Sequence, residues 1–94
     1  MMHVEAVFNI VASNRDVFYN RVAIIERLTG FNYVENEHRG RDTVWKIIMT
    51  GYVPPEDLKN GMRAISRRGW FFDRDAVVYD EHSKEVYCDG EWLI

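Results

Sequence analysis

Apolar and polar residues alternate near the start of the chain. Val4, Ala6, Phe8 and Ile10 fall on one side, and His3, Glu5, Val7, Asn9 and Val11 on the other. A period of two carried by β-branched residues predicts a strand. The period then lengthens, because Phe18, Val22, Ile25 and Leu28 recur at helical spacing. Ser13 or Asn14 offers an N-cap, Asp16 puts a carboxylate in the first turn, and Gly30 stands where a C′ residue belongs. Together they predict a helix over residues 15–29. The stretches FNYVENEH and TVWKIIMTGYV read as two strands joined at Arg39-Gly40-Arg41-Asp42, with Arg39, Gly40 and Arg41 expected as an exposed mobile tip. PPEDLKNGMRAISRRG reads as a second helix, with Pro55 in its first turn and Leu58, Met62 and Ile65 as its buried stripe. Arg67 and Arg68 fall at its C-terminal end, and Gly69 is expected to close it. WFFD and AVVYD are strand-like on either side of a break or bulge at Asp73-Arg74-Asp75, and Asp89-Gly90 marks a final hairpin.

The order β-α-β-β-α-β, followed by a β extension, is the ferredoxin-like order. It predicts an α+β two-layer sandwich over residues 1–94 as a single domain: an antiparallel sheet, two helices on one face, and a C-terminal β-hairpin. Phe8, Ile10, Phe18, Val22, Ile25, Trp45, Ile47, Leu58, Met62 and Ile65 are the expected core. The other sheet face then receives Val44, Lys46, Ile48, Thr50 and Tyr52 beside the outward residues of the first strand. A half-apolar open face of this kind predicts an interface. The chain ends on Trp92-Leu93-Ile94, which are expected to be buried, over that face or against a symmetric copy. A homodimer is therefore expected, with Val7, Val11, Ile48, Tyr52, Tyr87, Trp92 and Ile94 as candidate interface residues.

Composition narrows the class. The hydrophobic content of 47% and aromatic content of 14% suit a folded chain rather than a disordered one. The single cysteine, Cys88, excludes an intrachain disulfide and fits a reducing, cytoplasmic setting. The N-terminus has no basic stretch and carries Glu5, so neither a signal peptide nor a membrane span is expected. A net charge of −3 argues against bulk electrostatic binding to nucleic acid. The charge is uneven: residues 69–94 hold Arg74 and Lys84 against Asp73, Asp75, Asp80, Glu81, Glu85, Asp89 and Glu91. The same segment holds Trp70, Phe71, Phe72, Tyr79, Tyr87 and Trp92, of which Trp70 and Phe72 are expected in the core.

Candidate chemistry adds little. His3, His38 and His82 lie in different elements with no ligand-spaced pair, so no metal is expected, and no motif implies a cofactor. Cys88 lies beside Tyr87 and Asp89, neighbours that raise a thiol pKa, so a nucleophile is not expected. In DVFYNRV and GFNYVEN, Arg21 and Asn36 or Asn32 are the nearest equivalents of the Arg and Asn of acylphosphatases, whose element order the chain resembles. That resemblance implies an acylphosphatase-like phosphohydrolase, although ASNRD has none of the glycines that cradle a phosphate. RNA-recognition motifs share the order too, and imply a nucleotide- or RNA-binding module in which Arg39, Arg41, Arg67 and Arg68 contact phosphate. Such modules stack bases on central-strand aromatics, and here only Tyr52 is expected on that face. The leading expectation is a small non-enzymatic binding protein, an inhibitor or regulator. It engages a macromolecular partner through its open sheet face and its acidic, aromatic C-terminal region.

Overall fold

A computed structural model describes residues 1–38 and 42–94, so the expected Arg39-Gly40-Arg41 tip lies outside the described residues. The elements are β1 (Met2–Val11), α1 (Arg15–Thr29), β2 (Asn32–Glu37), β3 (Val44–Val53), α2 (Pro55–Ser66), β4 (Phe71–Asp80), β5 (Glu85–Cys88) and β6 (Glu91–Trp92). The fold is α+β. Six strands form one antiparallel sheet in the order β2-β3-β1-β4-β5-β6. The two helices touch each other and share one core with the inward side chains of the strands. This arrangement is compatible with the expected ferredoxin-like sandwich, extended at one edge by β5 and β6.

Local signals produce these elements. Asn14 caps α1 by accepting from Val17 N at 2.9 Å, and the Gly30 N–H returns to Glu26 O at 2.9 Å. Helix α2 stops earlier than its sequence suggests. Arg67 is its C-cap in ordinary right-handed geometry, and Gly69 lies beyond the helix without a left-handed backbone. All ten expected core residues are buried. Aromatic packing orders that core, because Phe18 stacks on Trp45 at 4.3 Å and Phe8 meets Phe71 edge-on at 5.2 Å. Phe71, not Phe72, is the buried member of its pair; Phe72 stands opposite Asn9 and is 38% exposed. Side chains alternate along β4, so only one of two adjacent phenylalanines can face the helices. Trp70 is partly buried against the core, under the Arg21 guanidinium at 5.5 Å.

The Asp73-Arg74-Asp75 break is a bulge. Register between β1 and β4 shifts from Val7↔Val77 to Asn9↔Phe72, leaving residues 73–76 opposite Phe8 alone. The bulge is tied to the hairpin beyond it. Asp75, at φ 64°, donates its N–H to Asp89 Oδ1 at 2.7 Å, and Asp89 N donates to Ala76 O. Asp73 accepts from Ser66 Oγ at 2.7 Å and from the Tyr87 hydroxyl at 2.9 Å, linking α2, β4 and β5. The β5–β6 turn has φ 51° at Asp89 and 87° at Gly90, the two left-handed residues that a type I′ hairpin requires.

The tail departs from expectation. Trp92 is partly buried and meets Tyr87 edge-on at 4.8 Å, with Lys59 of α2 over its ring at 5.7 Å. It therefore covers the helix side of the sheet, not the open face. Leu93 and Ile94 are 48% and 50% exposed rather than buried. Trp92 pairs with Tyr87 and packs against the core; the two residues after it run past β6, where Leu93 keeps a backbone bond to Val86 O but its side chain is not covered. Tyr87, expected at an interface, is buried for the same reason. It pairs with Val78, whose side chain faces the helices.

Burial, reinforced by the Asp73 hydrogen bond, pushes the Tyr87 phenol up to about 12 from an ordinary value of 10.0. A folded-state value above the unfolded one means that the neutral phenol stabilises the fold below pH 10.0, and this contribution is lost as pH rises towards 12. Denaturation measured across that window is expected to show stability falling with pH, with a shallower slope in Tyr87→Phe. An unchanged slope in that variant would assign the titration elsewhere.

Candidate functional site

Pairing register decides which side chains share the open face. Val7 pairs with Ile48 on one side and Val77 on the other; Ile48 faces Glu35, and Val77 faces Cys88, which pairs with Glu91. One row across the sheet is thus apolar in the middle, with a carboxylate at each end. The neighbouring row runs Asn32, Thr50, Glu5, Tyr79, Glu85. On the other side, Glu37 pairs with Lys46, and Lys46 with Asn9. Val44 and Val11 end the face, while His3 and Tyr52 stack at the opposite end with ring centroids 4.3 Å apart. Glu5, Glu35, Glu37, Glu85 and Glu91 all stand on this face, with Lys46 paired opposite Glu37.

Charge is segregated between layers. Helices and flanking ends (residues 13–30 and 54–70) hold seven Lys/Arg and four Asp/Glu; the remaining residues hold five and eleven. By sequence, residues 13–30 and 54–70 carry +3 and all other residues −6, which sum to the chain's −3. Among the described residues no Lys or Arg lies within ion-pair distance of a carboxylate; the one pair is His82 with Glu81, at 3.8 Å. Among the described residues, then, no Lys or Arg forms an ion pair with a carboxylate of the face.

A concavity of about 800 Å³ lies at the His3–Tyr52 end of the face. Glu5, Val7, Asn32, Thr50 and Tyr79 form its floor and sides, and the β4–β5 turn forms a rim with Asp80, Glu81 and Ser83. Asp80 is committed to that turn: it accepts from Lys84 N and His82 N, which hold its carboxyl below the usual range. Cys88 lies in the apolar row, where burial and then Asp89 and Glu85 push its thiol up, opposite to what a nucleophile needs.

Of the sequence-predicted interface residues, the structure brings Val7, Val11, Ile48 and Tyr52 together on the open face. Tyr87 and Trp92 lie on the helix side, and Ile94 ends the free edge beside Lys59. Arg67 and Arg68 follow α2, away from the open face; Arg39 and Arg41 lie outside the described residues. Arg21 is engaged by the Val11 carbonyl and Trp70, and Asn36 donates to the Tyr33 hydroxyl, so neither is directed at a phosphate site. Among the described residues no group of His, Cys, Asp and Glu could hold a metal ion, and no helix is long and apolar enough to cross a membrane. Tyr79 and Glu85 were legible as strand residues, but their place beside Glu5 depends on register, which the bulges in β4 shift. Compared with known proteins, the chain matches no family model, no curated protein and no solved structure.

Proposed function

We propose that this chain is a small non-enzymatic binding protein, an inhibitor or regulator built on a ferredoxin-like frame. Its acidic open sheet face docks onto a basic surface of a protein partner. The observation that carries this reading is the coincidence, on one face, of the Val7–Ile48–Val77 row with five carboxylates that pair with no Lys or Arg among the described residues. The apolar row supplies contact area that excludes water, while the carboxylates steer encounter and select a cationic partner. The same charge opposes an RNA-recognition reading, because bases stacked on this face would bring phosphates against Glu5, Glu35 and Glu85.

A nona-arginine peptide followed by calorimetry tests the reading. Binding is expected to weaken with salt and to fall by about tenfold or more in Glu35→Lys/Glu37→Lys/Glu85→Lys. Arg63→Glu/Arg67→Glu, on the other layer, is expected to leave it intact. Equal losses in both variants would overturn the reading. So would tight binding of an RNA oligonucleotide that depends on Arg67 and Arg68.

The free edge favours a second copy as well. Leu93 and Ile94 are half-exposed apolar residues beside a two-residue edge strand, which a symmetric partner would cover. Sedimentation equilibrium is expected to give a monomer–dimer equilibrium that Leu93→Ser/Ile94→Ser shifts to monomer. A monomer at all concentrations would remove the dimer and leave the docking face in place.

A further inference from the structure

We infer that the concavity around Glu5 is a receptor for an arginine side chain of the partner. This inference rests on the docking reading above and narrows it to one subsite. Glu5 stands on central strand β1, near the middle of the open face, between Thr50 and Tyr79 in register. Its carboxylate is exposed and has no cation within ion-pair distance among the described residues. On one side rises the stacked pair of His3 and Tyr52, the latter 54% exposed; on the other lies Val7. Among the described residues neither Lys nor Arg lines the concavity.

A planar guanidinium fits this surround better than an ammonium. It can take both oxygens of one carboxylate while its faces lie against tyrosine rings, and it sheds water more readily. Thr50 Oγ1 and Asn32 Oδ1, in the same row as Glu5, are acceptors for its remaining N–H groups. The methylene stem of the arginine then passes over Val7 towards the apolar row, joining the subsite to the rest of the docking face. The ligand class is thus an arginine-bearing protein segment, bound through its side chain.

The test uses the full chain and N-acetyl-arginine amide as probe, with N-acetyl-lysine amide as comparison. Side-chain NMR signals of Thr50, Tyr52, Tyr79 and Val7 are expected to shift saturably with the arginine probe, and about fivefold or more weakly with the lysine probe. Glu5→Gln is expected to weaken the arginine probe by about tenfold or more, and Tyr52→Ala to weaken it further towards the lysine level. Both residues are exposed, so neither variant endangers folding. Equal response to the two probes, or shifts indifferent to Glu5→Gln, would overturn the subsite. If nona-arginine still binds the Glu35–Glu37–Glu85 region while the single-residue probe does not respond at Glu5, the subsite fails and the docking face stands. If neither probe binds, both fail.

Discussion

Replacing Gly61 by alanine is expected to destabilise the protein by about 2 kcal/mol, lowering its melting temperature by roughly 10 °C. Helix propensity alone predicts the opposite sign, since alanine is favoured over glycine in a helix interior by about 1 kcal/mol. Gly61 is where α2 crosses α1. A methyl group there would stand 2.7 Å from the Leu28 carbonyl oxygen and 2.8 Å from Thr29 Cα. Both are backbone atoms, so the clash cannot be relieved by a rotamer change, and the helices must separate. Separation in turn loosens Leu58, Met62 and Ile65 against Phe18, Val22 and Ile25, all buried in one core. Chemical denaturation of Gly61→Ala measures the effect, and a variant more stable than the parent would contradict this account of the helix crossing.

Deleting residues 91–94 is expected to cost about 2–3 kcal/mol, the value of about 100 Å² of apolar surface at 25 cal/mol per Å². Most of that loss belongs to Trp92, which covers Tyr87 and lies under Lys59. The backbone bond from Leu93 N to Val86 O goes with it. Leu93→Ser/Ile94→Ser separates the two roles of the tail. Those side chains are half-exposed, so the double variant is expected to change monomer stability by about 0.5 kcal/mol or less. If instead it destabilises as much as the deletion, Trp92 is not the anchor.

Much of this was legible along the chain, for reasons specific to each segment. The alternation through Val4, Ala6, Phe8 and Ile10 placed β1 and its inward face, because a strand has only two faces to assign. Asn14 and Gly30 bounded α1, and Asp89-Gly90 formed its hairpin, because capping and type I′ turns are local. The failures lie where distant residues decide. Gly61 interrupts a helical pattern without declaring that Leu28 and Thr29 lie against it. Trp92 turned to the helix side through its pairing with Tyr87, and Phe72 to the open side through alternation from Phe71. The open sheet face was visible in outline from Val7, Ile48 and Tyr52. Its acidity was not, because Glu5, Glu35, Glu37, Glu85 and Glu91 are scattered over the chain and meet only through strand order.

The central claim, that the open sheet face is the docking surface, meets its most direct test in methyl-resolved NMR with a spin-labelled arginine-rich peptide. Relaxation enhancement falls steeply with distance, and methyl groups distinguish the two sides of the molecule where sheet amides do not. Val7, Ile48 and Val77 point to the open face, whereas Val17 and Leu28 lie on α1. The account predicts that the bound label broadens the Val7, Ile48 and Val77 methyl signals and leaves those of Val17 and Leu28 sharp. Broadening of the Val17 and Leu28 signals with the strand methyls spared, or equal broadening of both sets, would contradict it.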